Sequence, residues 1–220
     1  MQKLVIFGTG PIAEVAHYYF SEDSAYRVAA FTVDAAHQTG DSHLGLPVVP
    51  FETVSERFPP GEFDMFVAMG YGRINRNRAE KVAAARAAGY RLAHYVSSRA
   101  WVWKGFAARE NLFLMEHNTV QPFVEIGENV TLWSGNHIGH HSRIGDNAFI
   151  ASHAVISGNV TVGAYSFVGV NATLRDNIAL GRACVVGAGA LVLADAPDET
   201  VFPGKATEPA RIPSSRLRAI

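Results

Sequence analysis

Apolar residues recur at every sixth position through the second half of the chain. From Leu114 to Val192, each position reached in steps of six is Leu, Ile or Val. Neither a helix nor a flat strand has this period. A repeat of six predicts a β-solenoid whose coils have three flat faces, with the repeated aliphatic residue pointing inward. These positions are Leu114, Val120, Ile126, Leu132, Ile138, Ile144, Ile150, Ile156, Val162, Val168, Leu174, Leu180, Val186 and Val192.

Two further columns of the repeat fit a narrow triangular coil. The fourth residue after each repeated position is mostly small or aliphatic, as a tight interior requires, with Asn118 and Asn136 as exceptions. The third residue is often Asn, Gly or His, which tolerate a positive φ and therefore predict corners. This corner column contains Asn129, Gly135, His141, Asn147, His153, Asn159, Asn171, Asn177 and Gly189.

The first hundred residues follow another pattern, in which short apolar runs alternate with helical periodicity. This alternation predicts a small, Rossmann-like parallel sheet with helices around it. The predicted strands are 3–7, 27–33, 64–69 and 91–96, and the predicted helices begin at Pro11 and span 75–88. We therefore expect an α/β domain over 1–100, a β-helix over 101–196 and an irregular C-terminal cap or arm over 197–220.

Charge and composition narrow the possible partners. The 220 residues include 19 basic and 20 acidic side chains, a net charge of −1, with no polybasic run. Nucleic acid and anionic membranes are therefore poor candidates. No apolar stretch approaches the roughly 18 residues of a membrane span. The single cysteine, Cys184, excludes an internal disulfide framework. A cytoplasmic protein is the simplest expectation.

Four histidines lie between residues 137 and 153. His140 is two residues past a repeated position, so its side chain should point outward, where it is either a general base or an ordinary exposed histidine. His141 and His153 fall in the corner column, where they can serve the backbone alone. Zinc is an alternative, but no cysteine accompanies the cluster, and we expect no metal. Gly158 would present an N–H to an oxyanion.

A glycine-rich motif follows the first predicted strand. It approximates G-x-G-x-x-G/A and, with an acid at the end of the second strand, resembles a dinucleotide fingerprint. A tight turn that needs glycine for its geometry is the alternative. Gly70 and Arg73 follow the third strand and either line the same crevice or form an ordinary loop. The candidate nucleotide-binding residues are Gly8, Thr9, Gly10, Pro11, Ile12, Asp34, Gly70 and Arg73.

The sixfold pattern resembles the hexapeptide repeat of left-handed parallel β-helix acyltransferases. Its handedness comes from this resemblance, since the usual rule for parallel crossovers predicts the opposite hand. With the α/β domain in front, nearly the whole chain resembles the NeuD/PglD-type sugar acyltransferases. In that family the α/β domain holds a nucleotide-linked amino sugar, and acetyl-CoA lies along the β-helix between the subunits of a trimer.

The resemblance also assigns roles to individual residues. The family segment I-x-H-x-x-x-I-G corresponds to residues 138–145 and makes His140 the base. His141 stands where a glutamate often assists that base, and Phe149 stands where some members have a second histidine. The family's G-N-V segment matches 158–160, which supports Gly158 as the oxyanion donor. The implied contacts to CoA are Phe149, Gly158, Val170 and Ala188.

The resemblance therefore implies an acetyl-CoA-dependent N-acetyltransferase acting on the 4-amino group of a nucleotide-linked amino-deoxy sugar used for bacterial polysaccharide. The amine attacks the thioester directly, with no covalent enzyme intermediate. Sugar O-acetylation at the same site is the nearest alternative. An NAD-binding protein that uses the glycine motif and a non-catalytic scaffold are the others.

Overall fold

The computed structural model describes residues 2–209 and 211–216. Position 210 and residues 217–220, which belong to the predicted C-terminal arm, lie outside the described residues, as does Met1. None of the described helices is long and apolar enough to cross a membrane.

The N-terminal α/β unit (residues 2–93) is built on a five-stranded sheet in the order β3-β4-β2-β1-β5, parallel except for β3. Helix α1 packs on one side of the sheet through Ala13, Ala16 and Phe20, and α3 packs on the other through Val82 and Ala85. The elements are β1 (Gln2–Phe7), α1 (Pro11–Glu22), β2 (Tyr26–Val33), β3 (Ser42–His43), β4 (Leu46–Pro50), α2 (Val54–Arg57), β5 (Phe63–Val67) and α3 (Arg76–Ala87).

Residues 95–202 form a three-faced parallel β-solenoid made of two-residue strands. In the middle coils, where the strands repeat regularly, each strand pairs with those 18 residues before and after it. Face 1 contains Tyr95–Val96, Phe113–Leu114, Thr131–Leu132, Phe149–Ile150, Phe167–Val168, Val185–Val186 and Val201–Phe202. Face 2 contains Trp101–Val102, Thr119–Val120, His137–Ile138, Val155–Ile156, Thr173–Leu174 and Leu191–Val192. Face 3 contains Glu125–Ile126, Arg143–Ile144, Thr161–Val162 and Ala179–Leu180.

The two predicted columns of the solenoid are confirmed. The repeated aliphatic residues form one continuous buried core, joined by small residues such as Ala148, Ala154 and Ala172. At the corners, the residue three positions after each repeated aliphatic residue has φ between 55° and 79°, from His117 to Gly189. The two polar exceptions are buried but bonded: Asn118 and Asn136 each donate to the Trp133 carbonyl.

The solenoid extends beyond the predicted limits of 101 and 196. Its first strand is Tyr95–Val96, so the predicted strand 91–96 is divided: Leu92 bridges to Met65 of the α/β sheet, while Tyr95 pairs with Phe113 of face 1. At the other end, Val201–Phe202 pairs with Val185–Val186. Pro197 and Pro203 flank this last strand and remove no N–H from its ladder, so the prolines do not end the coil where we expected.

The α/β unit covers face 1 and reaches both of its edges. Tyr95, Phe113 and Met115 of face 1 join the same core as α1. Tyr19 of α1 donates to Glu116 Oε2 over 2.5 Å at the edge between faces 1 and 2. At the edge between faces 3 and 1, Asn75 donates to the Tyr165 carbonyl over 2.8 Å. Face 2 and face 3 therefore remain uncovered within the described chain.

Candidate active site

His140 lies at the corner between faces 2 and 3, which we call the base edge, and its side chain is exposed as predicted. The backbone around it is held on both sides. Its N–H donates to Gln121 Oε1 in the preceding coil over 2.9 Å, and its carbonyl accepts from the Asn159 N–H in the next coil over 2.7 Å. The imidazole therefore projects from a rigid corner.

The side chain of His141 turns toward that of His140. Their Nδ1 atoms are 3.1 Å apart and the rings are nearly perpendicular, at 86°. His141 has the left-handed backbone of a corner residue, with φ 59°. It thus occupies a corner, as the pattern predicts, and contacts the candidate base as well.

Gly158 lies directly beside His140, one coil further along. A Cβ on Gly158 would come within 2.7 Å of both Cε1 and Nε2 of the imidazole. Among the described residues, the Gly158 N–H has no hydrogen-bond acceptor. An unpaired N–H on the residue beside an exposed imidazole can serve acyl transfer, because one group can take a proton and the other can stabilise an oxyanion.

The other predicted contacts to CoA lie elsewhere on the solenoid. Val170 and Ala188 are exposed, one coil apart, at the corner between faces 1 and 2, which we call the second edge. The width of face 2 separates them from His140 and Gly158. A single chain therefore brings together His140, His141 and Gly158, but not the rest of the predicted set.

Phe149 is on face 1, and its placement argues against the predicted cofactor contact. It is only 2% exposed because Tyr71, Phe167 and the Arg78 guanidinium pack around its ring. The α/β unit uses this aromatic residue to dock on face 1. Phe149 is therefore unavailable on the surface that carries His140.

The glycine motif and the two neighbouring strand ends meet at the carboxyl edge of the α/β sheet. Gly8 has φ 118°, and a Cβ there would be 2.9 Å from the Ala68 carbonyl, so this position needs glycine. Gly10 caps α1, Pro11 is its first residue, and Ile12 contacts Gly70. Thr9 lines a cavity of about 170 Å³ with Val33, Thr39, Gly40, Ser42, His43 and Val48.

Two charged residues of this predicted site form ion pairs with side chains of α3. Asp34, at the end of β2, is 2.5 Å from Lys81 Nζ of α3. Arg73 is exposed and directs its guanidinium along α3 to Glu80, 3.1 Å away. Sequence reasoning missed Lys81, because its spacing on α3 does not reveal that it crosses to β2. A nucleotide that used Asp34 would have to share it with this lysine.

A small polar cluster beside the same cavity was also missed. His43 Nε2 lies 3.5 Å from Glu14 Oε1, and the rings of His17 and His43 both pack on Phe31. Burial, reinforced by the nearby His43, lowers the pKa of His17. The spacing of Glu14 and His17 on one helix was the only signal in the sequence, and nothing there pointed to His43. No three His, Cys, Asp or Glu side chains come together as a metal site within residues 2–209 and 211–216.

Comparison with known proteins finds one matching family model and solved structures of the same fold. The Bacterial transferase hexapeptide (six repeats) family matches residues 123–158. The structure is similar to that of a histidine-to-asparagine mutant of perosamine N-acetyltransferase from Caulobacter crescentus, in complex with CoA and GDP-perosamine. The TM-score is 0.81 with 26% identity, covering 93% of this chain and 94% of that chain. In its repeat and its fold, the chain resembles the NeuD/PglD-type hexapeptide-repeat acyltransferases.

A second solved structure matches the whole architecture of the chain, an α/β unit followed by a left-handed β-helix. The acetyltransferase domain of PglB from Neisseria gonorrhoeae has a TM-score of 0.82 and 25% identity, covering 96% of this chain and all of that one. No curated protein sequence matches the chain.

Proposed function

We propose that this acyltransferase moves the acetyl group of acetyl-CoA to the 4-amino group of a nucleotide-linked amino-deoxy sugar. The observation that carries the proposal is the exposed imidazole of His140 beside the free N–H of Gly158 on a rigid corner. The perosamine N-acetyltransferase described above has CoA and GDP-perosamine bound and shares this fold at 26% identity. We assign the nucleotide to the cavity beside Thr9 and the glycine motif.

The reaction uses the two groups in sequence. The amine nitrogen attacks the thioester carbonyl, and the oxyanion accepts a hydrogen bond from the Gly158 N–H. His140 Nε2 takes the proton that the amine loses. When the tetrahedral intermediate collapses, the C–S bond breaks and the imidazolium returns its proton to the thiolate. The products are CoA and the acetamido sugar. Attack is direct, since Cys184 is buried in the solenoid core.

We further propose that the active enzyme is a homotrimer, because one chain does not hold a whole site. The α/β unit covers face 1, whereas the base edge is the corner opposite that face. Face 2 lies between the base edge and the second edge, and it exposes Trp101, Val155 and Leu191 by 56%, 39% and 62%. Packing three such faces around an axis would bring Val170 and Ala188 of one copy to His140 and Gly158 of the next. Phe149, already packed beneath Tyr71, is not part of this proposed site.

The first experiment measures CoA release from acetyl-CoA with a panel of UDP-, dTDP- and GDP-linked 4-amino sugars. We expect turnover with one of them, and a fall in kcat of about 10²- to 10⁴-fold in His140→Ala, the range for loss of a general base. Asp176→Ala, at the same corner position two coils further along, is the matched control.

Other outcomes would assign the alternatives. Binding of acetyl-CoA without turnover of any amino sugar would contradict N-acetylation and favour a hydroxyl acceptor. Absence of acetyl-CoA binding would favour a scaffold. Tight binding of NAD would favour the alternative in which the glycine motif belongs to an NAD-binding redox protein.

A further inference from the structure

His141 has a geometry that filling a corner does not require. Its Nδ1 lies 3.1 Å from Nδ1 of His140, and the ring planes are nearly perpendicular. At this distance one nitrogen must carry the hydrogen and the other must accept it. The contact therefore ties the tautomer of one ring to that of the other.

The His141 ring is itself held in place by a row of aromatic side chains along the base edge. Its centroid is 4.7 Å from the ring of Phe123, which lies 5.6 Å from the ring of Trp103 in the preceding coil. Phe123 offers no hydrogen-bonding atom. The His141 ring thus packs against Phe123, and within the described residues the polar partner of its Nδ1 is His140.

We propose that His141 is a positioning residue for the base, an inference that rests on the proposed function. His141 Nδ1 accepts a hydrogen bond from the Nδ1–H of His140. Because a neutral imidazole carries one proton, this bond leaves His140 Nε2 free to accept another beside Gly158. When Nε2 takes the proton of the amine, the same Nδ1–H bond stabilises the imidazolium. His141 thereby does, without a charge, what a neighbouring carboxylate would do.

The corner itself offers a substitution that separates the two roles of His141. One and two coils further along, the same corner position holds Asn159 and Asn177, and the Asn159 side-chain amide donates to Asn177 Oδ1 over 2.8 Å. Asn129 and Asn147 form the same bond at another edge. Asparagine at 141 would keep the left-handed backbone and extend this ladder toward Asn159. His141→Asn should therefore preserve the coil while removing the contact to His140.

The test combines ¹⁵N NMR of the histidine rings with kinetics on the full-length protein. In the wild type we expect His140 to carry its hydrogen on Nδ1. In His141→Asn we expect a mixture of tautomers and a fall in kcat of about 10- to 100-fold, below the full value of a general base. The KM for acetyl-CoA should not change. His153→Asn, a corner histidine at the second edge, should change neither, and His141→Glu should restore most of kcat.

Two results would overturn the proposal: a wild-type His140 with its hydrogen on Nε2, or a His141→Asn variant with unchanged kcat. The wild-type spectrum needs no variant to fold. It also separates this proposal from the proposed function, because the tautomer can be measured even if no amino sugar is turned over.

Discussion

At the base edge, the space beside His140 is set by a missing side chain. Gly158 leaves its N–H unpaired within the described chain, and its lack of a Cβ gives the imidazole room to lie against the next coil. Other positions of the repeat require glycine for a different reason. A Cβ on Gly139 would meet the backbone of Gly158 at 2.5 Å, so that glycine serves the stacking of coils. Among the described glycines, Gly158 alone combines an unpaired N–H with contact to His140.

Gly158→Ala tests this role. The new methyl would lie 2.7 Å from Cε1 and Nε2 of His140, closer than real contacts allow, so the imidazole must move away from the donor. We expect kcat to fall by about 10²-fold, the effect of disturbing one oxyanion donor. Steady-state kinetics with acetyl-CoA measures it. Unchanged kcat in Gly158→Ala would show that His140 does not work in its observed position.

At the level of elements, the three faces of the solenoid have different outward residues and therefore different uses. Face 1 presents Tyr95, Phe113 and Phe149, which the α/β unit covers. Face 3 presents Glu125 and Arg143, whose side chains are exposed and 3.7 Å apart. Face 2 presents Trp101 and other apolar residues to solvent. An exposed apolar face on a regular sheet marks a surface for association.

Leu191→Glu tests whether face 2 assembles the enzyme. A carboxylate on this face would be buried without a partner in the proposed trimer, which opposes association. We expect a species three times the protomer mass for the wild type, a smaller one for Leu191→Glu, and loss of turnover with assembly. Light scattering after gel filtration measures the mass. Thr161→Glu, on face 3, should remain assembled, and a Leu191→Glu protein of unchanged mass would place the interface elsewhere.

In the whole molecule, the α/β unit is fixed to the solenoid by polar groups at both edges of face 1. Arg78 is buried and donates to the carbonyls of Gly70, Asn129, Asn147 and Ala148. Burial lowers its pKa to about 9, so it stays charged at neutral pH. At the second edge, Asp23 Oδ2 accepts from Tyr95 over 2.7 Å, and Glu116 accepts from Tyr19 and Ser134. These bonds set the position of the cavity beside Thr9 relative to the solenoid.

The dependence of stability on pH in the acid range should depend on these contacts between the α/β unit and the solenoid. Burial raises the pKa of Glu116, but hydrogen bonds from Ser134 and Tyr19 outweigh it, so the net pKa is lowered. A lowered pKa contributes stability above the unfolded value of about 4.3 and loses it as pH falls through the folded value. We expect the Tm of the wild type to decrease once the pH drops below about 4. In Glu116→Gln, the Tm at neutral pH should be lower than that of the wild type, and its decrease in acid should be smaller.

Thermal unfolding followed from pH 7 to pH 3 measures both effects. Glu125→Gln, whose exposed carboxylate lies on face 3, should follow the wild type. An acid limb of equal slope in Glu116→Gln would show that this carboxylate does not couple docking to protonation.

The amino-acid sequence by itself determined the solenoid and the outward position of His140. A coil of three short faces needs one inward aliphatic residue every six positions and a left-handed corner between faces, and both demands are local. The tight turn at Gly8 and the start of α1 at Pro11 were also predictable, because they too depend on neighbouring residues in the sequence.

Only the tertiary structure decided which residues meet across the molecule. The repeat does not indicate which face the α/β unit covers, so it could not show that Phe149 lies under Tyr71. The pattern of the α/β unit likewise did not show that Asp34 pairs with Lys81. Side-chain pairs such as His140 and His141 depend on ring orientation, which packing against Phe123 sets and no spacing encodes.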